Sequence, residues 1–212
     1  AMVSPFGGFK KFHGTNPYSF CAPLRNGDKI LVDFATSTIA WNKVLSARGN
    51  NLYLKKGLAF DKKGNMTTNA QLADSLIPLG GNLYGHKGFG LSTSIEILCG
   101  PLIGMVHGFR LLPMNGKDFK SYRKLGHLFI AIKINAFNSK KLYYEKIHAY
   151  LKDLKKQKNL SGVDNIYYPG EKEKIQEQKR LLEGIPFDKE MTEGYIKIDK
   201  KLKISDFKKI IN

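Results

Sequence analysis

The sequence predicts an α/β fold of mixed α+β character, with helices flanking a mixed β-sheet. Three observations predict it. "KILVDF" (29–34) and "GHLFIAIKI" (126–134) are the β-branched and apolar runs expected of buried strands. Leu91, Ile95, Leu98 and Leu102 recur at helical spacing, and the segment 139–159 gathers Ile147, Tyr150, Leu151 and Leu154 on one face with lysines outside. These elements follow in irregular order with no internal repeat, which favours one layered domain.

The elements justify themselves in turn. Residues 1–28 are dense in turn formers ("SPFGG", "HGTNPYS", "APLRNGD") and form a loop-rich entry segment. Strand 29–34 leaves the "NGD" turn. A helix follows, capped by Thr36 or Ser37, with Ile39, Val44 and Ala47 inside and Gly49 at its end. After a "KKGN" turn, Thr68 or Asn69 caps a short helix that Pro78 closes. "GGNLYGHKGFG" (80–90) reads as a glycine loop opening the helix around Leu91. Residues 29–135 form the core of the domain and 136–212 its C-terminal part. There the 139–159 helix leads to a turn at Pro169–Gly170, a helix with early glutamates that stops at Gly184, a short strand "YIKI" (195–198), and a closing helix capped by Ser205.

Bulk properties narrow the function. The 212 residues are enough for a sizeable core. No apolar run reaches the roughly 20 residues of a membrane helix, and the start lacks the basic and apolar regions of a signal peptide. The two cysteines, Cys21 and Cys99, lie in apolar neighbourhoods and read as free buried thiols of a reducing, cytoplasmic compartment. A net charge of +17 favours anionic partners. Only five of the 35 basic residues are arginines, which argues against base readout in nucleic acid; the lysine runs at 152–158 and 197–203 read as solvated faces.

Two motifs carry candidate chemistry. The 80–90 segment holds five glycines around His86 and Lys87. A glycine loop entering a helix presents free N–H groups at the positive helix end, where Lys87 and His86 add a charge and a donor for phosphate. On its residues alone an ordinary turn into a helix is the stronger reading, because the spacing is neither that of a P-loop nor GxGxxG. In "VDFATST", Asp33 ends a strand where it can accept ribose hydroxyls, and Thr36 and Ser37 can donate; capping the next helix is the plainer role. The histidines (13, 86, 107, 127, 148) match no zinc spacing. His107 and His127 read as structural, His148 lies on a lysine face, and no residue stands out as a proton-transfer base.

Six segments taken in order, "SPFGGFKKFHGTNPYSFCAP", "ILVDFATSTIAWNKV", "GLAFDKKGNMTTNA", "LIPLGGNLYGHKGFGLSTSIEILCGPLIG", "HLFIAIKINAF" and "PGEKEKIQEQKRLLEGIPFD", resemble the malate/L-lactate dehydrogenase family of NAD(P)-dependent oxidoreductases, which also holds sulfolactate, ureidoglycolate and diketogulonate enzymes. The resemblance runs from Ser4 to about Asp188. It implies a non-Rossmann, sulfolactate/malate-dehydrogenase-like fold, NAD or NADP as cofactor, and hydride exchange with a small 2-hydroxy or 2-oxo acid. It places Asp33, Ala35, Thr36, Ser37, His86, Lys87, Gly88, Glu183, Gly184 and Ile185 at the cofactor. It assigns no catalytic residue here, His13 included. The family's N-terminal part, which carries its histidine segments, has no counterpart in this sequence. With Met2 read as the natural start, a homodimer or a chain supplying that part is the expected partner. An inactive nucleotide-binding or interaction module, and a basic nucleic-acid binder, are the alternatives.

Overall fold

Every buried apolar side chain among the described residues lies between Val3 and Pro78. The computed structural model describes residues 1–112, 118, 120–187 and 189–202. They fall into two compact units, 1–156 and 157 onward. The helix expected at Ser205 lies outside the described residues.

The turn-rich start folds back on itself and then joins a sheet. Val3 bridges His13 antiparallel and Leu76 parallel. Strand β1 (Tyr18–Pro23) and strand β2 (Lys29–Phe34) form an antiparallel hairpin, with Ser19 opposite Asp33 and Cys21 opposite Leu31. Helix α1 (Trp41–Gly49) follows. Strands β3 (Ala59–Phe60), β4 (Met66–Thr67) and β5 (Ser75–Leu76) form a second sheet in the order β4-β3-β5, antiparallel throughout. The parallel bridge from Leu76 to Val3 makes that ladder mixed. Val3, Val44, Leu54, Ala59, Ala70, Ala73 and Leu76 pack together, and Ile39, Trp41 and Ala47 pack against them. Val44 and Ala47 thus form the expected inner face of α1, while Ile39 packs on the same core from just before the helix. Arg48 fastens the helix from its last turn: its guanidinium donates to the carbonyls of Ala70, at 2.7 Å, and Ala73, and lies 5.3 Å from the Trp41 ring centre.

Helix α2 (Gly81–Cys99) and helix α3 (Lys140–Lys155) complete the first unit. Ser139 caps α3 by accepting from Leu142 N at 3.2 Å. Tyr143 ties α3 to the hairpin, donating its hydroxyl to Pro23 O at 3.0 Å. In the second unit, helix α4 (Glu171–Glu183) starts after Gly170, at φ 90°, and stops at Gly184, at φ 85°. Helix α5 (Lys189–Leu202) follows. No helix among the described residues is long and apolar enough to cross a membrane.

Several expectations are corrected. Residues 81–90 are helix, since α2 begins at Gly81 with Gly80 as its N-cap. Gly81, Gly85 and Gly88 stand four and three residues apart, on one face of that helix. Segment 126–134 is no strand: outside the short turn at Ile134–Ala136 it has no regular structure. A strand needs a neighbour, and among the described residues none pairs with it. "YIKI" (195–198) lies inside α5, because a four-residue apolar run fits either period and its flanks continue the helix. The helix expected near Thr68 is absent; Asn69 Oδ1 instead takes Gln71 N at 2.9 Å and makes a turn. Neither Thr36 nor Ser37 caps α1, whose N-cap is Ala40 without a side-chain bond. Cys21 is exposed and Cys99 half-buried, both free, because β1 turns Cys21 outward. Tyr150 of α3 is exposed while Ile147, Leu151 and Leu154 are half-buried. The turn at residues 61–65 forms as expected, with Asp61 Oδ1 accepting from Lys63 N and Asn65 N.

Candidate functional site

The first candidate site is built on one short crossing. Residues 77–79 run between the end of β2 and α2. Thr38 N donates to Ile77 O at 2.9 Å and Leu79 N to Thr36 O at 3.0 Å, and Ser37 bridges Pro78. On the other side, Gly85 and Gly88 of α2 are buried against the same segment: a β-carbon on Gly88 would stand 2.7 Å from Leu79 Cβ, and one on Gly85 3.6 Å from Pro78 O. The segments holding Thr36–Ser37 and His86–Gly88 are thus brought together across Pro78 and Leu79.

Their side chains divide by exposure. Thr36 is fully buried, and its hydroxyl donates to Thr15 O and Asn16 O, both at 3.0 Å. Ser37 is buried and donates to Ile39 O at 2.8 Å. Neither hydroxyl proton is left for a ligand; both brace the chain. Ala35 is half-buried between them and the exposed Asp33. On α2, the buried face carries Gly85, Gly88 and Ser92, while Leu83, His86, Lys87, Gly90 and Ser94 face outward. His86 has its ring edge-on to Phe6, 5.5 Å between centres, and Lys87 Nζ lies 6.0 Å from the Tyr84 ring centre. Their backbone N–H groups lie past the first turn, so only their side chains can serve a ligand. In the second unit, the exposed Glu183 pairs with Lys179 at 3.6 Å, beside the exposed Gly184 and Ile185.

Gly90 shows what the glycines are for. Nothing lies within 4 Å of a β-carbon built there, and its φ is not positive. Gly90→Ala therefore gains helix propensity without a clash and is expected to stabilise the chain by about 0.5–1 kcal/mol. A urea titration reads this as a higher midpoint.

A dinucleotide fits this donor set in part. A lysine and an imidazole on the early turns of a helix suit phosphate, and an exposed aspartate suits ribose hydroxyls. The cavities are small or elsewhere. One of about 200 Å³, lined by Ser4, Phe6, Gly64, Ile77, Gly81 and Asn82, opens beside the α2 start and is below the usual range for a cofactor pocket. A larger one, about 550 Å³, lies at the hairpin turn around Cys21, Arg25, Lys29 and Tyr144, away from these residues.

A second polar cluster escaped the sequence reading. His13, 3% exposed, places Nδ1 3.0 Å from Ser92 Oγ and stacks on Phe89, 5.4 Å between ring centres. Asn16 Nδ2 donates to Ser92 O at 3.0 Å, Ser92 Oγ at 3.2 Å and Glu96 Oε2 at 2.6 Å. Glu96 Oε1 accepts from Gly108 N at 2.5 Å. Because the Asn16 amide can only donate through Nδ2, Ser92 Oγ accepts and turns its own proton toward Nδ1, an assignment made from the network and satisfied with His13 neutral. Burial holds the His13 pKa below the ordinary histidine value; Glu96 opposes this and His107 adds to it. The unfolded chain, with its histidine near about 6.5, takes up the proton first. Stability is therefore present above that value and is lost as pH falls below it, at no more than about 1.4 kcal/mol per pH unit from this one group. Urea midpoints between pH 7.5 and 5 are expected to fall on acidification, and His13→Gln is expected to flatten that fall.

Comparison with known proteins places the chain in a family. The family model for malate/L-lactate dehydrogenase matches residues 1–194. The chain belongs to the malate/L-lactate dehydrogenase family. It is 38% identical over 185 residues to the ureidoglycolate dehydrogenase (NAD(+)) of Escherichia coli K12, covering 87% of this chain and 51% of that one. It is 34% identical over 204 residues to the malate/(S)-sulfolactate dehydrogenase of Methanothermus fervidus, covering 95% and 57%. The sulfolactate dehydrogenase from Methanocaldococcus jannaschii superposes with a TM-score of 0.79 at 30% identity, over 95% of this chain and 56% of that structure. The α/β fold is thus that of the family, and the chain spans about half the length of the relatives it matches.

Proposed function

We propose that this chain is the cofactor-holding part of an NAD(P)-dependent oxidoreductase that exchanges hydride between nicotinamide and a 2-hydroxy or 2-oxo acid. The observation that carries it is the joining of the Thr36–Ser37 and His86–Gly88 segments across Leu79 in a chain of this family. The nicotinamide, when bound, supplies the hydride chemistry. Lys87 and His86 hold phosphate through their side chains, the exposed Asp33 accepts ribose hydroxyls, and buried Thr36 and Ser37 keep the intervening backbone in place. Gly184 and its neighbours Glu183 and Ile185 belong to the same reading.

Oxidation of a 2-hydroxy acid also needs a base for the hydroxyl proton and a cation for the carboxylate. His13 is buried and committed to Ser92, so it meets neither need. Both groups come, in this reading, from the part of the family fold that this chain does not span, in a cytoplasmic complex. A second reading, a nucleotide-binding module without catalysis, is favoured by that same burial of His13. Calorimetry with NADH and with NADPH tests the cofactor part. Binding of at least one is expected, with Lys87→Ala weakening it about tenfold to a hundredfold, the loss of one charge-assisted contact. No binding of either nucleotide, or an affinity untouched by Lys87→Ala, would sink it. Turnover of 2-oxo acids separates the catalytic from the non-catalytic reading.

A further inference from the structure

We infer that Asn16 is a positioning residue for the cofactor: it sets the separation between the Lys87 end and the Asp33 end of the site, and through that separation the affinity for a ligand that spans both. This rests on the cofactor reading above and names the residue that holds its two halves in register.

Asn16 reaches both halves at once. Its carbonyl accepts from Thr36 Oγ1 at 3.0 Å, and the carbonyl before it, Thr15 O, accepts from Thr36 N at 2.9 Å. Its amide takes hold of α2: Nδ2 donates to Ser92 O, Ser92 Oγ and Glu96 Oε2, the last at 2.6 Å. Thr36 and Ser92 are buried, so water cannot replace Asn16 as their partner. Asn16 sits at φ 35°, a left-handed conformation that asparagine tolerates. Gly14 leaves room for the amide, since a β-carbon there would stand 2.8 Å from Asn16 Oδ1.

The other link between the halves is a pivot. Gly85 and Gly88 rest on Pro78 and Leu79, within a single turn of α2, and Leu79 N donates to Thr36 O. Contact within one turn fixes where a helix stands and leaves its tilt and roll open. Ser92 and Glu96 lie four and eight residues beyond Gly88 on the same face, about 6 Å and 12 Å further along the axis. Held there as well, α2 can neither tilt nor roll. Lys87 and His86 face outward on long or bulky side chains, so any roll of the helix would carry their polar ends away from Asp33.

Such movement matters to one kind of ligand only. A dinucleotide that meets Lys87 through phosphate and Asp33 through ribose gains from its second contact as far as the first holds it in reach. A ligand that meets one end gains nothing from their spacing. That asymmetry separates positioning from plain stability.

The test compares the wild-type 212-residue chain with Asn16→Gly, which keeps the carbonyl and deletes the amide. Calorimetry measures NADH and NADPH. NMR shifts at residues 33 and 87 measure adenosine and pyrophosphate, which reach one end each. Dinucleotide affinity per folded molecule is expected to fall about tenfold, with adenosine and pyrophosphate within about twofold of wild type. Circular dichroism supplies the folded fraction, and lost stability alone would scale every ligand by that fraction. Thr36→Val breaks the tie from the other side and is expected to reproduce the pattern. Thr36→Ser keeps the hydroxyl and is expected to keep wild-type affinity; this pair carries the test if Asn16→Gly does not fold. Dinucleotide affinity unchanged per folded molecule, or a loss shared equally by the two fragments, would overturn the inference and leave the cofactor reading standing. A wild-type chain that binds neither nucleotide, or fragments that leave residues 33 and 87 unmoved, would fail the cofactor reading and the inference with it.

Discussion

Gly88→Ala is expected to destabilise the chain by at least about 3 kcal/mol, and to leave much of it unfolded at 37 °C. A methyl group there would overlap Leu79 O and stand 2.7 Å from Leu79 Cβ and 2.8 Å from Leu79 C. The obstacle is backbone, which cannot rotate away as the end of a side chain can. Leu79 is itself held by its N–H bond to Thr36 O, and its neighbour Pro78 bridges Ser37. The helix must therefore move off, and overpacking of this kind costs about 1–3 kcal/mol even where the neighbours can relax. An alanine gains about 1 kcal/mol of helix propensity over glycine, which offsets only part of that. Gly90→Ala, two residues along the same helix, supplies the control: same propensity gain, open space, opposite sign. Urea midpoints of the two variants measured side by side check both. Equal effects would mean that α2 does not lie against Leu79. The glycines of "GGNLYGHKGFG" serve packing first, and any ligand chemistry there belongs to the exposed Lys87 and His86.

How much of this was legible in the sequence depends on range. Gly49, Gly184, the "KKGN" turn and strand 29–34 were readable because each is decided by residues within a few positions of itself. The helix at 81–90 was hidden because glycine propensity argues against it, and the force that overrides propensity is contact with residues 78–79 folded back upon it. The strand expected at 126–134 was a fair inference from composition, but a strand exists only when paired, and its pair is not among the described residues. The family itself was readable, since six ordered motifs survive without any knowledge of contacts. The His13 cluster joins residues 79 and 80 positions apart, beyond any local signal. One clue was present. Glu96 is the only acidic residue between Asp74 and Asp118, one turn after Ser92 and followed by the apolar Ile97, Leu98 and Cys99, and such a carboxylate requires a donor.

That requirement gives a sharp pH test. Asn16→Asp replaces the donor to Glu96 with a second carboxylate, 2.6 Å away in the present geometry. Two carboxylates at that distance cannot both ionise cheaply, so the folded pair keeps one proton that the unfolded chain has already released. Folding then takes up a proton, and stability must rise as pH falls from 7 toward 5. The wild-type chain behaves in the opposite sense there, because the depressed pKa of His13 makes unfolding take up the proton. At pH 7 the variant loses three donor contacts and adds repulsion, at an expected cost of about 3–5 kcal/mol. Asn16 also sits at φ 35°, which asparagine and aspartate both tolerate, so backbone strain does not enter the comparison. Asn16→Gly removes the same contacts without adding charge and should follow the wild-type pH slope from a lower start. Urea midpoints of the three proteins at pH 7 and pH 5.5 decide the matter. If Asn16→Asp were to lose stability on acidification as steeply as wild type, residue 16 and Glu96 would not be in contact, and the attachment of the "GTNP" segment to α2 would have to be redrawn.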